Sequence, residues 1–501
     1  MINKKTLLIF SIILILSYII FNFLVIGNDR PLNFLKKNFS NETKQTIKRY
    51  IFPYSYIDEN LNTIKALRSE LKSVQKSLKN INATLDQNNI ILNEMSEILG
   101  FTEFMRYQKK TVNVNKNDFI FTKFENYYLK VRKAGAAGSG AIYAEKFDNK
   151  IILASGDGNF YFFEKELLNN KNFKAIKLKS NIKEIIKYKD FYISSKYGIK
   201  DLFLMDNKIY ISFINQINKS CFNTSIMVAE LNFKKLVFKS FFSPDECIDS
   251  NTPWFQPHSS GGRMFQFEDK IIFSTGEFLN RAKAQDEKSV FGKILILNPN
   301  FTNDKVYKII SLGHRNVQGL YVDAENSTII STEHGPQGGD EININKNLSS
   351  NIINNYGWPV SSYGEHYGFA ESDPSTDVYK VAPLHKSHKK YGFIEPIKYF
   401  VPSIGISQIV KVDNNFINHN GLDNQLDTNN FIIGALGKKD RQLSVGTMSF
   451  HFFKINKEYS KILNHEFINI DERVRDVIVI DEDQVLFTLE SASTLGILTK
   501  K

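Results

Sequence analysis

Three short runs of the sequence combine histidine, arginine and glycine in segments too polar to form core. They are Pro257-His258-Ser259-Ser260-Gly261-Gly262-Arg263, Gly313-His314-Arg315-Asn316-Val317-Gln318-Gly319-Leu320, and Thr332-Glu333-His334-Gly335-Pro336-Gln337-Gly338-Gly339-Asp340-Glu341-Ile342-Asn343. Asn355-Tyr356-Gly357-Trp358-Pro359 follows soon after. An imidazole gains or loses a proton near neutral pH, so a histidine in such a loop could serve as acid or base toward a bound ligand. Glycines beside it let backbone approach that ligand closely. A lone histidine in such a loop is more often structural than catalytic; it is their joint occurrence that points to a site.

Composition narrows what the site could use. The two cysteines are too few for a Cys-rich zinc or iron–sulfur centre, so redox work would need another cofactor. The net charge is +11, but the basic residues are spread along the chain without the stripe of a nucleic-acid binder, and nucleic acid is not an expected partner. With 42% hydrophobic residues, 41 Phe and 22 Tyr, the chain can bury a large core and favours strands.

The elements that must position the loops recur. A polar turn precedes a short apolar strand at Asp148-Asn149-Lys150, Asp206-Asn207-Lys208 and Glu268-Asp269-Lys270, and more loosely at Asp323 to Ser327, Asn429-Asn430 and Asp481 to Asp483. Most steps are on the order of 50–60 residues, the scale of a propeller blade, with a large insertion around 345–400. The expected body is all-β, a six-bladed β-propeller over 110–501. In such a fold, loops from many blades converge at one end of the axis, so site residues are scattered in sequence but gathered in space.

Read together, the runs from Gly313 to Leu320, from Thr332 to Asn343 and from Asn355 to Pro359, with Glu472-Arg473-Val474-Arg475-Asp476-Val477-Ile478, resemble the soluble quinoprotein glucose and sorbosone dehydrogenase family. The resemblance covers roughly 140 to 501. It implies a six-bladed propeller that binds pyrroloquinoline quinone (PQQ) and Ca2+ and oxidises an aldose or related sugar. It assigns His258 as the base that takes the hydroxyl proton while hydride leaves the same carbon, and Arg315 as the group that stabilises charge on the reduced quinone. Asn316, Lys438 or Lys439, and the planar forks of Arg473 and Arg475 would hold the cofactor. The backbone carbonyls of Gly335 and Pro336 would hold the calcium, a hard cation that prefers oxygen. The chain departs from the family pattern in three places. Pro257 stands where glucose-active members carry an acid, an extra serine lengthens the H-x-G-G-R run, and Lys196 stands near the position of a quinone-contacting Gln. These departures leave a second reading open, a catalytically inactive propeller that binds a sugar or a protein partner.

The amino-terminal part is read apart from this body. Thr6 to Ile26 carries no charge and follows Lys4 and Lys5, and about 20 apolar residues span a bilayer as a helix, so residues 1–27 are expected to be a single-pass membrane anchor. No small-residue cleavage site follows it. After a linker at 28–56, apolar residues at Ile64, Leu67, Leu71, Val74, Leu78, Ile81, Leu85, Leu92, Met95 and Leu99 keep the heptad period, with Asn88 at one d position. Residues 57–99 are therefore expected to be a coiled-coil stalk through which the chain forms a homo-oligomer; an amphipathic helix lying on the body is the alternative. Cys221 and Cys247 are expected to pair, which needs an oxidising compartment and agrees with a body facing the periplasm or the outside.

Overall fold

The computed structural model describes residues 61–80, 98–114, 117–126, 141–300 except 195, 306–346, 348, 351–417, 428–437, 445–490 and 494–501, with residues 17, 40 and 84. The expected anchor and linker therefore lie outside the described residues, apart from single positions. Among the described residues no helix is long and apolar enough to cross a membrane. The chain divides into two units, residues 1–85 and 86–501.

In the first unit, residues 61–80 form a helix on which Leu61, Ile64, Leu67, Leu71, Val74 and Leu78 are all exposed. Within 61–80 the heptad positions are thus exposed. Much of the remaining stalk, including Ile81, Leu85, Asn88, Leu92 and Met95, lies outside the described residues.

The second unit is an all-β, propeller-like body built of antiparallel meanders. The first comprises Ile142–Phe147, Lys150–Ser155, Phe160–Glu164 and Asn172–Ser180. The second comprises Ile199–Met205, Lys208–Asn218, Cys221–Glu230 and Lys239–Phe242, and the third Gly261–Phe267, Lys270–Thr275, Lys293–Leu297 and Lys308–Leu312. Val317–Asp323, Thr328–Glu333, Asp340–Lys346 and Lys398–Phe400 make the fourth. Ile406–Val412, Thr428–Ala435, Ser449–Asn456 and Ile462–Asn469 make the fifth. The closing meander takes Val474–Asp481, Gln484–Leu489 and Thr494–Lys500 from the carboxyl end and Asn117–Asn126 from before the first meander. Phe101–Val114 pairs with both Asn117–Asn126 and Asn172–Ser180, so strands begin nearer the amino end than the expected boundary at 110.

The first strands of successive meanders stand side by side, and Val474–Asp481 returns against Ile142–Phe147. The recurring polar turns join the first strand of a meander to its second. Their residues Asp148, Asp206, Asn207, Glu268 and Ser327 have positive φ, a conformation that Asp and Asn tolerate better than most residues. The second strands that follow are buried on both faces, as at Ile151, Ile152, Leu153 and Ala154, because each sheet packs between two neighbours. Each buried Ile or Leu among them contributes about 1.5–3 kcal/mol.

The insertion falls between the third and fourth strands of the fourth meander and carries the short helices Phe369–Ser372 and Asp377–Val381. Cys221 and Cys247 are joined by a disulfide with Cα atoms 5.4 Å apart. The short strand Ile248–Asp249, which pairs with Phe222 and Cys221, brings the second cysteine to the first.

Candidate active site

In an antiparallel meander the start of the first strand and the end of the second lie at the same end of the sheet. His258, Arg315, Asn316, Arg473 and Arg475 precede or open first strands, whereas His334, Gly335, Pro336, Glu277 and Glu490 follow second strands. This common position is what brings them to one end of the body, opposite the polar turns.

The loop carrying His258 is fixed from both sides. Phe278 N donates to the Ser259 carbonyl at 2.9 Å, Gln256 N donates to the Phe278 carbonyl at 3.0 Å, and Thr224 Oγ1 donates to the Ser260 carbonyl at 2.9 Å. Gly261 has φ +63°, and a Cβ there would lie 2.8 Å from Gly276 N, so this step of the chain requires glycine. The His258 side chain is solvent-accessible. Its imidazole is pushed down to about 3, first by the surrounding protein and then by Lys196, Lys200 and Arg315. Water reaching the ring softens that depression without reversing it, so the ring is neutral at pH 7.

Asn316 is turned toward this loop. Its Oδ1 accepts from Gly261 N and from Gln318 Nε2, both at 3.0 Å, and its Nδ2 donates to the His258 carbonyl at 3.4 Å. The amide expected to bind the cofactor thus carries three bonds within the protein. Gln318 continues the chain, because its Oε1 accepts from Arg475 Nη1 at 2.8 Å.

The two arginines share one carboxylate. Arg475 Nη2 donates to Glu490 Oε1, and Arg473 Nε and Nη2 both reach Glu490 Oε2, each at 2.9 Å. Arg473 Nη1 also donates to the Leu436 carbonyl. Burial alone would push Glu490 up, but Arg475 and Arg473 outweigh it and hold the carboxyl at about 2. Two guanidinium groups against one carboxylate leave net positive charge. Arg475 Nε is buried without a hydrogen-bond partner, whereas every nitrogen of Arg473 named above is engaged. Lys438 and Lys439 lie outside the described residues.

Arg315 is fixed through its backbone, which donates to Glu333 Oε2 at 3.0 Å, and through Nη1, which donates to the His334 carbonyl at 3.1 Å. Its guanidinium lies 5.4 Å from the centre of the Trp358 ring, and its Nε has no partner. His334 Nε2 is likewise buried and unpartnered, and burial followed by Arg315 and Arg475 lowers its pKa against the pull of Asp340. Asp340 holds the loop of Gly335 and Pro336 by accepting from Gly335 N at 3.1 Å and Gly405 N at 2.7 Å. Among the described residues no group of three or more His, Cys, Asp or Glu side chains is placed to hold a metal. A cation here would rest on carbonyl oxygens. His314 is a structural residue. It is fully buried, bonded to Ser311 Oγ at 2.8 Å and stacked on Tyr356.

Sequence reading gave no role to Arg263, Asp476, Gln318, Glu490 or Glu277. Arg263 is the hub of the body. Its Nη1 reaches Asp201 Oδ1 at 2.7 Å and Asp476 Oδ1 at 2.8 Å, its Nε and Nη2 donate to the carbonyls of Gln318 and Arg475, and it lies over Tyr143. One side chain therefore ties the first strands of several meanders. Glu277 is fully buried, and burial raises its carboxyl to about 7 against Arg315 and Arg281. Arg263, Gln318 and Asp476 lie inside the runs quoted above, whereas Glu277 and Glu490 lie outside them and carry no signal of their own.

The propeller-like body thus gathers an imidazole of lowered pKa and unpartnered guanidinium nitrogens at one end, groups that could accept a proton and donate to an anion. The family description "Glucose / Sorbosone dehydrogenase" matches residues 169–499, and the chain belongs to that family. Aldose sugar dehydrogenase YliI of Escherichia coli is 28% identical over 230 residues, which cover 44% of this chain and 54% of that protein. An uncharacterized protein of Synechocystis is 29% identical over 212 residues, covering 40% of this chain and 43% of its own length. The chain thus matches about half the length of these curated relatives. Two solved structures share the fold at 19% identity and 72% coverage of this chain. The soluble aldose sugar dehydrogenase of Escherichia coli in the apo-form has a TM-score of 0.52 with all of its chain covered, and a glucose dehydrogenase has 0.51 with 95% covered.

Proposed function

We propose that this protein is a dehydrogenase that oxidises an aldose or related sugar, using pyrroloquinoline quinone with Ca2+. The observation that carries the reading is the convergence of His258, neutral and open to solvent, with Arg315 and Arg475, whose buried Nε atoms have no partner. The quinone is a polyanion, and a donor set with surplus guanidinium charge fits it. When bound, it supplies the acceptor for the hydride that leaves the sugar carbon. Arg475 and Arg315 hold it, Arg473 keeps Glu490 and hence Arg475 in place, and the carbonyls of Gly335 and Pro336 offer oxygen to the calcium. His258 takes the hydroxyl proton of the sugar, and Asn316 positions the loop that carries it.

The proposal extends to the rest of the chain. The body is a six-bladed propeller, supported by the repeated four-stranded meanders. It is tethered to a membrane by residues 1–27 and self-associates through the heptad stripe of 57–99. It faces the periplasm or the outside, a reading supported by the disulfide between Cys221 and Cys247. Titration of the purified body with the quinone and calcium, followed by absorbance on adding aldoses, tests the function. Quinone binding with sugar-dependent bleaching is the expected result. No quinone spectrum with calcium in excess would leave the inactive, ligand-binding propeller as the better account, with Pro257 and Lys196 as the altered positions.

A further inference from the structure

The acids of this chain are distributed less evenly than its basic residues. Residues 171–240 hold 14 Lys, no Arg and only five Asp and Glu, whereas residues 241–501 carry more acids than bases. The fold draws the two ends of this basic stretch together. The short strand Lys235–Leu236 runs parallel to the end of Asn172–Ser180, with Lys235 beside Lys179 and Leu236 beside Ser180. Asn181 clamps the same segment, because its Oδ1 accepts from Phe238 N at 2.8 Å and its Nδ2 donates to the Phe238 carbonyl at 3.0 Å. Beneath, Leu178, Ile182, Ile186, Leu236 and Phe238 are buried in one apolar cluster.

Their chain neighbours stay outside. Lys179, Lys187, Lys189, Lys234, Lys235 and Lys239 are exposed, with Glu184 and Asp190 as the exposed acids beside them. Ile185 and Val237, 40% and 58% exposed, stand among these charges. Among the described residues none of the six lysines forms an ion pair, although Lys150, Lys165 and Lys270 of the same body do. Lys179 and Lys235, side by side on paired strands, repel each other, so an anion laid over them favours the pairing. Lysines without carboxylate partners around exposed aliphatic side chains fit a bilayer with anionic headgroups: the ammonium groups meet phosphates while the aliphatic tips enter the boundary below. Nucleic acid fits less well, because this stretch has no arginine fork and no exposed aromatic ring for stacking.

We infer that this patch docks the body on an anionic phospholipid surface. The inference needs neither the dehydrogenase reading nor the membrane anchor. Its test follows amide hydrogen exchange in the full chain reconstituted into vesicles of phosphatidylcholine, alone or mixed with phosphatidylglycerol. An anchor would hold the chain on both kinds of vesicle, so the comparison isolates the patch. Exchange in 181–189 and 234–239 should slow about tenfold or more on the mixed vesicles only. The protection should vanish at about 1 M salt, where the screening length falls to about 3 Å. Lys179→Glu, Lys187→Glu and Lys235→Glu combined should abolish it, with unchanged exchange in the later meanders as the check on folding, and the milder Val237→Ser should weaken it. Equal exchange on the two kinds of vesicle would overturn the inference. Protection by soluble poly-glutamate but not by the mixed vesicles would overturn it as well, and would assign the patch to an acidic protein.

Discussion

Arg475 donates through Nη1 to Oε1 of Gln318 at 2.8 Å, and this bond joins the arginine pair to the loop of the proposed base. From Gln318 the path runs through Asn316 to the His258 carbonyl. Arg475 and the backbone that carries the His258 imidazole are therefore parts of one hydrogen-bonded chain.

The two arginines should differ. Arg475→Ala removes an available donor and should weaken quinone binding by about 1.5–3 kcal/mol, roughly 10- to 150-fold in Kd. Arg473→Ala acts through Glu490 and should weaken it less. Equilibrium titration of each variant with the quinone decides this, and equal losses would contradict the division of roles.

His258→Ala should lower turnover by on the order of 10²–10⁴ while quinone binding persists. Desolvation first and then the nearby cations lower the His258 pKa, so Lys196→Gln should raise it and move the acid limb of the kcat/KM profile to higher pH. A limb that stays or moves down would show that Lys196 does not act on the base.

Glu490 provides an acid test of the clamp. Its folded pKa, about 2, lies below the usual carboxylate value of about 4.3. Its stabilising contribution is thus complete above that value and is lost as pH falls toward 2. Glu490→Gln should flatten the dependence of unfolding free energy on pH in this window, measured by urea denaturation.

Arg263→Met should destabilise the body by about 3–5 kcal/mol, because Asp201 and Asp476 would remain buried without their shared cation. Replacing both acids by Asn in the same variant should restore part of the loss. A change below about 1 kcal/mol in the midpoint-derived stability would rule out the hub role.

The exposed stripe on helix 61–80 should drive self-association. A chain beginning at residue 32 should sediment as an oligomer at micromolar concentration, and Leu71→Lys with Leu78→Lys should make it monomeric. A monomeric parent chain would remove the stalk reading.

Much of the body was legible because its signals are local. Asp148, Asp206 and Asn207 mark positive-φ turns, and the apolar triplets after them are the buried second strands. The His258, Arg315 and His334 runs were legible as loops for the same reason, and the fold brings them to one end of the body. The pairing of Asn117–Asn126 with Thr494–Lys500 was not, because neither segment carries a mark of its distant partner. Arg263, Gln318 and Glu490 escaped for a related reason. Arg263 and Gln318 find partners in other meanders, and Glu490 meets its arginines across two strands of its own, so only the folded body shows that Asn316 faces the His258 loop and that one glutamate serves two arginines.

The register between Phe119–Phe124 and Leu495–Lys500 sets an order of events on the chain. A growing polypeptide can form each meander from neighbouring segments, but the ring lacks its last seam until residue 500 has left the ribosome. Loop closure over such a separation is slow and leaves the edges of the first and last sheets unpaired in the meantime. The same delay keeps the unfinished chain open until its carboxyl-terminal strands are made.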